Sequence, residues 1–251
     1  MAKQSYMTIG IHSVMELLKH SSENVIRVMF QAERRDKRLQ ELRLIAKSAQ
    51  IPTEELGKED LDKKTTGVHQ GVVALYEGES KSQDLAALLQ LLRELDSDPL
   101  LLVLDEITDP HNLGACLRSA GAAGVHAVII PRDRSANLNA TVRKVASGAA
   151  ETVNLVVVTN LARCLQQLKE RGIWLVGTDA NAEKSLYEQE LSGPLALVMG
   201  SEGRGLRRLT REKCDFLVSI PMPGVVSSLN VSVATGILLF EAIRQRHIRL
   251  N

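Results

Sequence analysis

Aromatic side chains are scarce in this sequence: three Phe, three Tyr and one Trp make up 3% of 251 residues. So sparse a set argues against a surface that holds single-stranded bases by stacking. Charge of one sign is also lacking. Lys and Arg number 31 against 30 Asp and Glu, a net charge of +1, so any attraction to nucleic acid must come from local patches. The three cysteines, Cys116, Cys164 and Cys214, are scattered and form no CxxC pair. Neither a disulfide framework nor a zinc site is indicated, and buried thiols in a reducing compartment are expected. No apolar run exceeds strand length, as at Leu100 to Leu104 and Leu195 to Met199. Such runs are far short of a membrane span. Met1 to Gly10 lacks a basic stretch followed by an apolar one, so no signal peptide is expected and the location is read as cytoplasmic. A phosphate loop of the GxxxxGK[ST] kind is absent, and the histidines form no HExxH or other metal constellation.

What is present is an ordinary globular composition, 44% apolar and 24% charged, long enough for one large or two modest domains. Ile9 to Tyr76 reads as a small α/β unit. Val14, Leu17 and Leu18 share a helix face after Ser13, a plausible cap. Val25 to Phe30 is β-rich, Leu39 to Ala49 repeats at helical spacing, and Val72 to Tyr76 is a second strand. From Arg27 to Lys47 there are seven Lys/Arg and three Asp/Glu, either a solvated helix face or a surface that tracks phosphates. Glu77 to Gln83 reads as a linker, and Asp84 to Leu95 as an amphipathic helix of the linker or of a second domain.

From Leu100 onward, continuous apolar strands alternate with helices. This predicts a mostly parallel sheet covered on both faces. Strands are expected at 100–104, 127–130, 155–158, 173–177, 195–199 and 217–220. Helices are expected at 113–123, 138–147, 161–171 and from Leu229 to about Arg249. Ligands of such sheets bind at the carboxyl ends of strands. Three loops there are candidates: Asp105 to Arg118, Gly200 to Gly205, and Ile220 to Ala234.

In the first, Arg118 lies among Gly114, Ala115, Ser119 and Ala120, where it is either a surface cation or a phosphate or oxyanion clamp. His111 beside Asp109 has no nucleophile at a recognised spacing and is read as a loop residue. In the second, Gly200, Gly203 and Gly205 do not follow the dinucleotide order GxGxxG, and Glu202 would repel a phosphate, so a non-phosphate or cationic ligand fits better. In the third, Ser227 and Ser228 fall where a helix N-cap is expected. Two basic clusters, Arg204 to Lys213 and Arg132 to Lys144, lie near these strand ends and favour nucleic acid.

Taken together, Asp105-x-x-x-Asp109-Pro110-x-Asn112-x-Gly114-Ala115-x-x-Arg118, Gly200-Ser201-Glu202-Gly203-x-Gly205 and Ile220-Pro221-Met222-x-Gly224-x-x-Ser227-Ser228-Leu229-Asn230 resemble the three motifs of the SPOUT-class RNA ribose 2′-O-methyltransferases. Gly10-Ile11-His12-Ser13-Val14 and Val68-His69-Gln70-Gly71-Val72 resemble the ribosomal-protein-like RNA-binding domain of its bacterial members, those acting on guanosine of 23S rRNA being nearest. The resemblance implies an α/β RNA-binding domain over 1–78, a linker and helix over 79–98, and a parallel-sheet catalytic domain with a C-terminal trefoil knot over 99–251. A homodimer is implied, with the active site near its interface.

The same resemblance implies S-adenosylmethionine as cofactor, no metal, and methyl transfer to a ribose 2′-OH in the peptidyl-transferase loop of 23S rRNA. A tRNA ribose methyltransferase and a non-catalytic ribosome-assembly factor are the alternatives. The implied catalytic positions are Asn112, Arg118, Glu202 and Ser228, with Asn230 also facing the chemistry. Gly200, Ile220 and Leu229 match cofactor contacts, with Met222 nearby.

Overall fold

The computed structural model describes residues 4–65, 68–78 and 82–250. The part of the expected linker at 79–81 lies outside them. The chain forms two compact units, one from 1–81 with 138–152, the other from 82–137 with 153–251.

The front of the chain runs β1 (Gln4–Ile9), α1 (Ile11–His20), β2 (Val25–Gln31), α2 (Lys37–Ser48), β3 (Thr53–Leu56), α3 (Lys58–Lys64) and β4 (Val72–Gly78). Next come β5 (Ser82–Gln83), α4 (Leu85–Glu94), β6 (Leu100–Leu104), α5 (Pro110–Ala122), β7 (Ala127–Pro131), α6 (Ala140–Ala146) and α7 (Ala149–Thr152). The remainder is β8 (Leu155–Val158), α8 (Leu161–Lys169), β9 (Trp174–Thr178), β10 (Leu195–Met199), α9 (Arg208–Lys213), β11 (Phe216–Val218) and α10 (Val231–Leu250).

In the first unit the sheet order is β1-β4-β2-β3. β4 is antiparallel to both neighbours, and β3 is parallel to β2. Alternation along β2 splits the core. Val28 and Phe30 pack with Leu17, Leu39 and Leu42 of the helices, while Met29 faces Val73 and Leu61 on the other side. α1 begins at Ile11 rather than after Ser13, because Gly10 turns the chain at φ 94° and Ser13 is buried. Part of the basic stretch is spent within the fold. Arg27 pairs with Glu54, Arg34 with Asp36, and Arg43 with Glu55 while lying over the Phe30 ring.

The 138–152 segment brings a buried polar cluster to this unit. Arg143 Nη1 donates to Tyr76 Oη at 2.8 Å and to Glu151 Oε1 at 3.0 Å, and its guanidinium lies 4.5 Å from the centroid of the Tyr6 ring. Both charged side chains are about 5% exposed (6% and 5%). Arg143 is therefore no part of a basic surface. The cradle of Tyr6 and Tyr76 that buries it comes from distant strands and leaves no mark in the local sequence.

Breaking a buried pair from one side strands a charge, so Arg143→Ala should lower unfolding free energy by roughly 3–5 kcal/mol in urea denaturation. A loss below about 1 kcal/mol would show that the pair is solvated. Burial, then the nearby Glu151 carboxylate, raise the Tyr76 phenol above its usual value of about 10. This contribution to stability is complete below pH ~10 and is lost as pH climbs through the raised folded-state value.

The second unit carries a seven-stranded sheet in the order β11-β9-β10-β6-β7-β8-β5. Every neighbouring pair is parallel. β6, β7 and β10 are buried at each position, which is why they read as unbroken apolar runs. Leu85, Leu88, Leu91 and Leu92 of α4 join this core, so that helix belongs to the second unit. Cys116 and Cys164 are buried and Cys214 partly so. Burial pushes these free thiols up to about 11, 12 and 12 respectively.

Two of the helix starts that differ from expectation carry candidate site residues. α5 begins at Pro110, not near Leu113: the Asp109 carboxylate accepts the His111 N–H at 3.0 Å, and Pro110 occupies the first turn, where its missing N–H costs nothing. Arg118 consequently falls on the third turn. α10 begins at Val231, and its cap is Asn230 rather than either serine. Asn230 Oδ1 accepts from Ser232 N at 2.9 Å, and its carbonyl accepts the first helical bond, from Ala234 N. Among the described residues no helix is long and apolar enough to cross a membrane.

Candidate active site

The loops that follow β6, β10 and β11 all leave the carboxyl ends of strands in the second unit. β6 and β10 are hydrogen-bonded neighbours, and β11 lies beyond β9 at the sheet edge. α5 packs along α10, where Cys116 Sγ lies 3.5 Å from Thr235 Oγ1. That packing carries the start of α5 to the start of α10.

One carboxylate joins the three loops. Glu202 Oε1 accepts from Asn112 Nδ2 at 3.1 Å, Asn230 Nδ2 at 2.6 Å and Val231 N at 3.3 Å. Asn230 Nδ2 also donates to Asn112 Oδ1 at 2.9 Å. Each loop thus contributes one member of a closed polar network. Glu202 also rests at the N-terminus of α10, where the helix dipole favours a negative charge. The sequence signal for Asn230 is its place as the polar residue immediately before the helix, masked by the serines just ahead of it.

Beside this network is a cavity of about 350 Å³. Its walls include Gly200, Ile220, Met222 and Leu229, together with Ser228 and Glu202. The expected cofactor positions are therefore brought together. Ser228 is exposed and lines the cavity without a recorded hydrogen bond among the described residues. Asn112 and Arg118 are not among the walls. Arg118 is exposed and makes no hydrogen bond or ion pair among the described residues, which leaves its guanidinium available to a ligand. No hydrogen bond is recorded between Asn112 and Arg118; Asn112 is committed to Glu202 and Asn230 instead.

Thr178 and Asp179, at the end of β9, line the cavity as well, and sequence reading missed them. Their place at a strand's carboxyl end is the signal that could have found them. Asp179 Oδ2 pairs with Arg211 at 2.8 Å, and both residues line the cavity.

The cavity suits S-adenosylmethionine. Its volume falls in the range of small-molecule sites, roughly 300–1,000 Å³. Gly200 brings bare backbone to the wall: a Cβ there would overlap the backbone of Gly205 and Leu206. The opposite charges of Asp179 and Arg211 match a zwitterionic amino-acid end, and Glu202 agrees with a cationic rather than a phosphorylated ligand. Among the described residues there is no cluster of three or more His, Cys, Asp or Glu able to hold a metal ion.

Comparison with known proteins agrees with this geometry. Residues 99–240 match the SpoU rRNA methylase family, and residues 8–82 match the RNA 2′-O ribose methyltransferase substrate-binding domain. The 23S rRNA (guanosine-2′-O-)-methyltransferase RlmB of Escherichia coli K12 is 55% identical over 243 residues, covering 96% of this chain and 99% of its own. The RlmB of Pseudomonas aeruginosa is 55% identical over 237 residues, covering 94% and 95%.

Among solved structures, an RNA 2′-O ribose methyltransferase superposes with a TM-score of 0.79 at 27% identity, covering 97% of this chain and 89% of that one. The SpoU methyltransferase AviRb from Streptomyces viridochromogenes, in complex with AdoMet, gives 0.78 at 25% identity, covering 97% and 91%. Fold, cavity and these matches define an S-adenosylmethionine-dependent RNA methyltransferase with an α/β parallel-sheet catalytic unit. Within that class, the chain belongs to the SpoU rRNA methylase family.

Proposed function

We propose that this protein methylates the ribose 2′-OH of one guanosine in 23S rRNA, in the peptidyl-transferase loop, as a cytoplasmic homodimer whose catalytic domain ends in a trefoil knot. The observation that carries the activity is the Asn112–Glu202–Asn230 network, which draws the three loops together beside the cavity. The choice of RNA rests on relatives named for 23S rRNA that align along nearly the whole chain, front unit included.

S-adenosylmethionine, when bound, supplies an electrophilic methyl group. Gly200, Ile220, Met222 and Leu229 hold it in the cavity. Asn112 and Glu202 fix the loops, so that the acceptor ribose meets a preformed surface; much of the acceleration comes from this positioning. Glu202 Oε1 is occupied by three donors, which suits a structural carboxylate rather than a base. The Arg118 guanidinium, a fork of N–H donors with no acceptor atom, holds the phosphate next to the target and stabilises the charge that develops on the ribose oxygen as the 2′-OH releases its proton to solvent water. Ser228, on the cavity wall, contributes a hydroxyl to the nucleotide or cofactor.

Mapping 2′-O-methyl marks in 23S rRNA and in tRNA, with and without the protein, tests the substrate. A mark gained at one guanosine of 23S rRNA is expected, and one confined to tRNA would overturn the choice.

The dimer reading is supported by α10. Val233 and Phe240, seven residues apart on one stripe of the helix, are each 52% exposed, and Val226 just before the helix is 60% exposed. A second copy of the chain would cover them. Phe240→Glu should convert the dimer to a monomer in light scattering, whereas an unchanged mass would place the interface elsewhere.

A further inference from the structure

Asp105 ends the run of β6, and its side chain is fully buried. Its backbone N–H donates to Met199 O at 2.8 Å, the residue just before the 200–206 loop. Its carboxylate accepts from the residue just after that loop. Arg207 Nε donates to Oδ1 at 2.7 Å and Arg207 N to Oδ2 at 3.3 Å, and Nη2 forms an ion pair with Oδ1. One residue therefore pins both feet of the loop that carries Gly200 and Glu202. Inside it, Ser201 and Gly205 exchange backbone bonds of 3.1 and 2.9 Å, so the loop is a closed ring standing on Asp105.

The outer side is braced too. Glu106, 14% exposed, pairs with Arg207 at 3.6 Å and Arg134 at 3.2 Å. The hydrogen bond to Asp105 raises the Arg207 pKa further, so its charge is fixed. A buried carboxylate held by one arginine is costly to leave unpaired, which makes the arrangement stiff. Neither residue lies in the Asn112–Glu202–Asn230 network, and Asp105 is not on the cavity wall.

We propose that Asp105 and Arg207 are positioning residues for methyl transfer, clamping both ends of the 200–206 loop so that the cofactor wall and Glu202 are held in register. This rests on the assignment of the cavity to S-adenosylmethionine. Loosening the clamp displaces the wall, and displacements near 1 Å at such sites cost on the order of 10- to 100-fold. Both residues act through one contact, so their effects do not multiply.

The test is the dissociation constant for S-adenosylmethionine, by calorimetry on the full chain, for Asp105→Asn, Arg207→Gln and the double variant, at a temperature where circular dichroism shows each folded. Each single change is expected to raise Kd about tenfold, and the double no further than the worse single. KM for RNA should stay as in the parent. Arg207→Lys should recover melting temperature by restoring the charge, yet keep the raised Kd because it lacks the fork.

A Kd within twofold of the parent in both single variants, or effects that multiply in the double, would overturn the clamp. Ile220→Arg, which fills the cavity, serves as reference. If it abolishes binding while the clamp variants do not change it, the clamp fails and the cavity stands. If Ile220→Arg also binds normally, the cavity assignment itself falls and the clamp with it.

Discussion

Arg118→Ala is expected to lower methyl transfer by roughly 10²–10³-fold under saturating conditions, the range seen when a donor to a developing oxyanion is removed. Affinity for S-adenosylmethionine should stay within about twofold, because Arg118 is not on the cavity wall. The fold should also survive, since the side chain is exposed and makes no hydrogen bond or ion pair among the described residues. Arg118→Lys should recover only part of the rate: an ammonium retains the charge but not the planar fork that grips a phosphate. Single-turnover assays with cofactor titrations separate the effects. Full turnover by the alanine variant would remove Arg118 from the chemistry, and a matching loss of cofactor affinity would place it in the cavity instead.

The second large effect is expected at Gly200. The Cβ of an alanine there would overlap backbone atoms of Gly205 and Leu206, which cannot rotate away as a side chain can. The loop must move, and it carries both the cavity wall and Glu202. Overpacking of this kind costs about 1–3 kcal/mol, so Gly200→Ala should weaken S-adenosylmethionine binding by roughly 5- to 150-fold. RNA binding, measured without cofactor, should be unchanged. Parent-like cofactor affinity in Gly200→Ala would mean that the loop is not the cofactor wall.

These two positions show what the sequence discloses. Gly200 and Arg118 draw notice by residue type, a glycine after a buried strand and a cation among small residues, while the roles expected of them come from the family resemblance. The parallel sheet was equally legible, since β6, β8 and β10 coincide with unbroken apolar runs. Short elements such as β1, β3 and α3 were not, as their polar, alternating residues resemble connections.

The remaining differences are matters of partnership. Arg143 and Arg207 both sit in basic clusters of the sequence, yet one is buried beneath Tyr6 and Tyr76 and the other is held by Asp105. Charge counting sees the cations and not the distant groups that neutralise them. The cap of α10 went to Asn230 over two serines because only Asn230 also meets Glu202 and Asn112, a contact set by the packing of α5 on α10. Tertiary geometry decided among local signals of similar strength.

Delivery of a methyl group to a ribose oxygen by the three loops is tested most directly by incubating the protein with methyl-labelled S-adenosylmethionine and unmodified 23S rRNA, digesting the RNA to nucleosides and identifying the labelled product by mass spectrometry. The expected result is label in 2′-O-methylguanosine, absent with Arg118→Ala. Label on a base-methylated nucleoside, or none in RNA despite bound cofactor, would contradict it.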